Sequence, residues 1–245
     1  MARVTLLSQA GAGVRTLRLE RADKANALDA EMVDGIVSAL DAVAADPPRL
    51  LVLEGSGRNF CAGFDFHGYQ SLGDGELLWR FVAIEQMLQK LRALPCVTLA
   101  CVQGGAFGAG ADMAAACTFR VGMPSTRFRF PGFQFGLALG TRALAALIGQ
   151  QAARSILLSG EVVDSAQALA IGLLTGLVDS AEGFAAEVEA TNGRFGRLDA
   201  TSAALALRNT SGQAAQAADA DLADLVRSMV RPGLKQRIAA YRGEA

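Results

Sequence analysis

"PCVTLACVQGGAFGAGADMAAAC", residues 95–117, decides the fold class. From Cys96 to Cys117 the chain runs 22 residues with one charge, Asp112, and Gly104 and Gly108 are spaced as GxxxG. A membrane-spanning helix has this look. Against it, Pro95 precedes a β-branched, alternating start (Val97, Thr98, Val102), and Gly104-Gly105 interrupts the run. A buried strand, a turn and a short small-residue helix fit the pattern better.

The flanking segments extend that reading. Residues 3–8 and 13–20 read as two strands joined by Ala10-Gly11-Ala12-Gly13. Asp29 caps a helix that keeps Met32, Val33, Ile36, Val37 and Leu40 on one face, and Asp46-Pro47-Pro48 ends it. "LLVLE" (50–54) is a buried strand, and an amphipathic helix covers about 76–93 after a glycine-bearing loop containing "DGE" (74–76). Short strands are expected near 118–122 and 127–130. Helices then dominate from 141, interrupted by "GLLTGLVD" (172–179), which reads as a short strand. Strands alternate with helices, so the class is α/β.

Composition narrows the function. Of 245 residues 51% are hydrophobic, and 23 Lys and Arg oppose 24 Asp and Glu. No basic run interleaves with aromatics, which argues against a nucleic-acid partner. The cysteines at 61, 96, 101 and 117 form no CxxC pair, so a reduced cytoplasmic protein with buried thiols is expected. The charged, alternating residues 1–20 do not read as a secretory signal. There is no GxGxxG after a strand, no GxxxxGK[ST] and no GxSxG. The single histidine, His67, excludes HExxH zinc chemistry, and no metal is expected.

Two short segments share one chemical property. If a helix starts near Phe107, the amides of Gly108, Ala109 and Gly110 lie in its first turn without helical partners and can receive an anion. In "NFCAGFDFHG" (59–68), Gly63 permits a sharp turn that would free the Phe64 N–H. Spacing alone leaves two alternatives open: convergent donors forming an oxyanion hole, or two ordinary strand-to-helix corners.

Four ordered segments, "RADKANALDAEM" (21–32), "LLVLEGSGRNFCAGFDF" (50–66), 95–117 and "FRFPGFQFGLALGTRAL" (128–144), resemble the crotonase family, the enoyl-CoA hydratases and isomerases. The similarity runs from about residue 3 to 180. It implies a crotonase-like spiral of ββα units over 1–180 and a helical trimerisation or lid region over 181–245. It also implies a homotrimer or dimer of trimers, and an acyl-CoA substrate with no further cofactor. The resemblance places the enolate-holding amides on Phe64 and Ala109, beside Gly63 and Gly108. It sets the adenine against the Cys61–Ala62 backbone and Lys24 near the phosphates, and gives Asp65 a role in shaping the coenzyme loop. Lys235 and Arg237, on a basic C-terminal helix, are either coenzyme contacts or a solvated face.

The chain departs from the family at its acids. The first catalytic glutamate position falls on Asp112 and the second on Gly132, so hydratase chemistry, which places a proton donor and an acceptor around one water, lacks a partner. Asp112 is either a buried acid–base group or an anion at a helix start. His67 is either a proton shuttle or an ordinary loop residue. Arg142 is a pocket cation or a solvated one, and Phe128, Phe130, Phe133 and Phe135 line an acyl pocket or pack the core. The rival functional reading is a crotonase-fold protein that binds acyl-CoA, or only its own copies, without catalysis.

Overall fold

The computed structural model describes residues 3–9, 13–210 and 217–244. Its main sheet has six strands: β1 (Val4–Gln9), β2 (Val14–Leu19), β3 (Leu50–Gly55), β4 (Val97–Val102), β6 (Phe119–Gly122) and β9 (Gly176–Leu177). The first pair is antiparallel and every later neighbour parallel. A smaller sheet joins β5 (Gly105–Phe107), β7 (Arg127–Arg129) and β8 (Val163–Asp164). The loop residues 10–12 of the first hairpin lie outside the described residues.

Both faces of the main sheet are covered, which explains the unbroken apolar runs of β3 and β4. Leu51, Leu53, Ala100 and Val102 face the main core with α1 (Ala30–Ala45), α2 (Asp74–Arg92) and α3 (Ala109–Ala115). Leu50, Val52, Leu99 and Cys101 face the other way, toward Phe184, Val188 and Phe195 of α7 (Ala181–Phe195). The period of two along a strand produces this division. Asp29 caps α1 as expected, accepting from the Met32 N–H at 2.9 Å.

Between β7 and α7 lie α4 (Thr141–Ile148), α5 (Gln150–Ser159) and α6 (Ser165–Ala170). After α8 (Ala200–Thr210) come α9 (Ala218–Met229) and α10 (Leu234–Arg242). Leu225 and Met229 of α9 and Ile238 of α10 are buried in the main core, so these helices share it with the spiral. Among the described residues, no helix is long and apolar enough to cross a membrane.

Three local expectations are corrected. "DGE" belongs to the first turn of α2, where Asp74 and Glu76 complement the positive helix end. The small-residue helix begins at Ala109, because Gly105–Phe107 pairs in parallel with Arg127–Arg129 and Gly108, at φ +50°, turns the chain only afterwards. Within 172–179 only Gly176–Leu177 pairs as a strand, since Leu173 and Leu174 are used in the core.

All four cysteines are free and buried. Burial pushes the Cys61, Cys96 and Cys117 thiols up to about 12, and Cys101 higher still. Thiolate is the reactive form. Native protein at pH 8 is therefore expected to leave Ellman's reagent almost unreacted over minutes, while denatured protein titrates all four thiols. Rapid native labelling of even one would contradict this packing.

Candidate active site

The site starts with Asn26, fully buried and left-handed at φ +55°. Its amide nitrogen donates to the carbonyls of Ser56 (2.9 Å), Asn59 (2.9 Å) and Phe60 (3.2 Å), and its oxygen accepts from the Arg21 N–H at 2.9 Å. One side chain thus gathers the turn after β3. Asn59 in turn accepts from the Gly105 N–H at 2.9 Å, and the Phe107 N–H donates to the Cys61 carbonyl at 2.9 Å. The strands leading into the two glycine-bearing turns therefore run side by side.

Their approach is close enough to require glycine. Gly63 sits at φ +81°, and a Cβ there would collide with the Phe107 carbonyl oxygen and stand 3.2 Å from the Ala109 nitrogen. A Cβ on Gly110 would strike the Cys61 carbonyl. The neighbours of Phe64 on both sides pair with Leu28: the Leu28 N–H donates to Gly63 (2.7 Å) and the Asp65 N–H to Leu28 (3.0 Å). The Phe64 N–H between them has no acceptor among the described residues, and neither does that of Ala109, the first residue of α3. The Phe64 ring stacks on Phe81 with centroids 4.2 Å apart, and the Arg80 guanidinium carbon lies 4.6 Å from its centre.

One expected donor is corrected. The Gly108 N–H is not free: it donates to the Arg129 carbonyl at 2.8 Å, as β5–β7 pairing demands.

A cavity of about 320 Å³ opens over the two turns. Ala62, Phe64, Gly108, Ala109, Asp112 and Gly132 all line it, so six of the residues singled out in the sequence meet there. Of the aromatic set, Phe130, Phe133 and Phe135 line the cavity, while Phe128 is wholly core. Tyr241 and Arg242 of α10 close one side. Lys235 anchors that helix through the Leu72 carbonyl (2.5 Å), and Arg237 through the Phe135 carbonyl (2.9 Å).

Other candidates stand apart from the cavity. Lys24 is exposed in a 3-10 turn, next to Ala25, whose carbonyl accepts the Ala62 N–H at 2.9 Å. His67 is exposed, and its N–H donates to Asp65 at 2.9 Å. Asp65 pairs with Arg21 at 2.6 Å, which together with the His67 N–H holds its carboxyl below the usual range. Arg142 pairs with Asp221 (2.7 Å) and Asp224 (2.5 Å), tying α4 to α9.

Asp112 is the one acid among the described residues that line the cavity. It is 7% exposed, and burial pushes its pKa well above the ordinary 3.8; repulsion from Glu85 adds to this and Arg92 opposes it. Gly140, at φ +63°, packs against the carboxyl so closely that any side chain there would overlap it. At Gly132 a Cβ would lie 2.8 Å from the Leu137 carbonyl, so the turn leaves no easy room for a second acid. Sequence reasoning missed Glu85, fully buried in α2 and bound by Arg92 (2.9 Å) and Gln89 (3.1 Å). Its signal was visible: it falls on the apolar face with Phe81, Ile84 and Leu88.

Paired turns beneath an apolar cavity, in a parallel sheet followed by a short second sheet, define a crotonase-type fold. The chain belongs to the enoyl-CoA hydratase/isomerase family, whose model matches residues 9–206. A Mycobacterium leprae protein described as an enoyl-CoA hydratase (echA6) is 34% identical over 185 residues, 72% of this chain and 73% of that one. A solved structure from Bordetella parapertussis, described as an enoyl-CoA hydratase/isomerase, superposes with TM-score 0.94 at 37% identity over 100% of both chains. An ethylmalonyl-CoA decarboxylase of Gallus gallus is 33% identical over 138 residues, 54% of this chain and 46% of that one.

The raised Asp112 pKa fixes a stability trend. The folded state binds the proton more tightly than the unfolded one, so the contribution is complete below pH 3.8 and is lost as pH rises toward the folded value. Asp112→Asn cannot ionise. At pH 8 it should melt above wild type, and the gap should narrow by pH 4. A gap independent of pH would contradict a buried, proton-retaining Asp112.

Proposed function

We propose that the chain is an acyl-CoA-processing enzyme in which the Phe64 and Ala109 N–H groups hold the thioester oxygen as enolate character develops, while Asp112 moves one proton. The observation that carries this reading is the pair of unpartnered amides on turns pressed together at Gly63, opening into the cavity that also holds Asp112. Preorganised backbone donors in a water-poor site stabilise developing negative charge without reorganising. A buried carboxyl with a raised pKa suits proton exchange near neutral pH.

With Gly132 at the second acid position, a single carboxyl serves the reaction. That favours chemistry moving one proton at a time at carbon: a double-bond shift, or protonation of an enolate left by decarboxylation. Addition of water needs a donor and an acceptor around one molecule. The range of names among the relatives, hydratase and decarboxylase, is in keeping with one enolate site serving several reactions. Coenzyme A arrives as part of the substrate, passing Ala62 and Gly108, with Lys24 beyond Ala25 as the candidate phosphate contact. The reading extends to a homotrimer or dimer of trimers working in the cytoplasm, as the sequence resemblance and the buried thiols led us to expect.

Proline at position 109 tests the donor directly. Ala109 is the first helical residue, where proline is accommodated, so the substitution removes an N–H with little harm to the helix. Exchange of the α-protons of acyl-CoA thioesters in deuterium oxide should fall by about 10²–10³-fold in Ala109→Pro, the usual cost of one lost oxyanion donor. Asp112→Asn should abolish exchange while still binding thioester. Wild-type protein that binds thioesters yet exchanges no α-proton on any of them would favour a non-catalytic binder instead.

A further inference from the structure

We propose that Arg129 selects the acyl group, and that this group carries a second anion, a carboxylate, at the end remote from the thioester. The proposal rests on the thioester reading of the cavity and deepens it.

Charge around the cavity is unevenly matched. Two cations line it, Arg242 and Arg129. Arg242 is answered within the chain: its Nε donates to Glu244 at 2.5 Å, and its guanidinium lies 5.1 Å from the Phe66 ring centre. Arg129 has no carboxylate partner among the described residues. Its Nε donates to the Gly160 carbonyl at 2.7 Å, and its guanidinium carbon lies 5.6 Å from the Tyr241 ring centre. These contacts hold the guanidinium against the cavity wall while its two terminal nitrogens meet no carboxylate among the described residues.

Such a fork is preorganised for a carboxylate, which accepts two parallel hydrogen bonds from it. The surroundings increase the effect. Phe66, Phe107, Phe130 and Phe133 share the wall, and Phe128 and Phe130 flank Arg129 in the chain as core residues. A cation desolvated by a purely apolar acyl chain loses water and gains nothing, so the same group that attracts a carboxylate disfavours an alkyl tail.

Its position relative to the thioester sets the reach. The Arg129 carbonyl accepts the Gly108 N–H at 2.8 Å, one residue before the Ala109 donor. The Arg129 backbone therefore lies beside the turn that carries the Ala109 donor, and its side chain reaches the Gly160 carbonyl. The acyl group it matches is a short dicarboxylic one, bound by the coenzyme at one end and by the guanidinium at the other.

Titration calorimetry with glutaryl-CoA and pentanoyl-CoA, equal in carbon count and differing in the terminal carboxylate, tests this. Wild type should bind glutaryl-CoA about tenfold or more tightly than pentanoyl-CoA, as one charge-assisted pair implies. Arg129→Gln should erase that preference, leave free CoA within about twofold of wild type and bind pentanoyl-CoA at least as tightly as wild type does; Arg129→Lys, keeping charge without the fork, should retain part of the preference. Unchanged melting temperatures show that the variants fold. Wild type that binds both thioesters equally overturns the proposal and leaves the enolate reading standing. Loss of free-CoA affinity in Arg129→Gln, equal for both thioesters, also overturns it, since the guanidinium then holds a coenzyme phosphate. Wild type that binds no CoA compound overturns both readings.

Discussion

Everything in the site depends on two stretches of backbone lying closer together than side chains allow. Gly63 and Gly110 each leave out a Cβ that would strike the other segment's carbonyl. The contact is enforced from outside: Asn26 ties down three carbonyls of the first turn, and pairing of β5 with β7 fixes the second. Local strain of this kind persists only where the surroundings over-determine it. Here it leaves the Phe64 and Ala109 amides, both without acceptors among the described residues, on turns that line one cavity.

Behind those donors the charge distribution is just as deliberate. Asp112, Glu85 and Asp221 are all buried, and Arg92 and Arg142 offset them only in part. One oxygen of Glu85 is buried without a hydrogen-bond partner among the described residues, and burial raises the pKa of its carboxyl. Burial and Glu85 push the proton onto Asp112, and Gly140 keeps the carboxyl packed in place.

Much of this was legible in residues alone. The β-branched start after Pro95 and the double glycine at 104–105 separated strand from helix correctly, and Asp29 marked the start of α1. Glycines at 63 and 108 pointed to the right turns, because glycine adopts their positive φ at the lowest cost. What stayed hidden was tertiary. That Gly108 spends its N–H on Arg129 follows from a strand pairing across about twenty residues, and short strands such as β5 carry little pattern of their own. Asp221 meets Arg142 across helices, a matching that no local window contains, whereas Glu85 meets Arg92 two turns further along α2 itself. Lys24 and His67 were attractive by motif and chemistry, and the fold leaves both exposed outside the cavity.

The most direct measurement is a crystal structure with a bound, unreactive acyl-CoA. The account predicts one thioester oxygen within about 3.1 Å of both the Phe64 and Ala109 nitrogens, with Asp112 facing the α-carbon. A thioester oxygen that contacts neither amide, or only one while the other is satisfied by water, would contradict it.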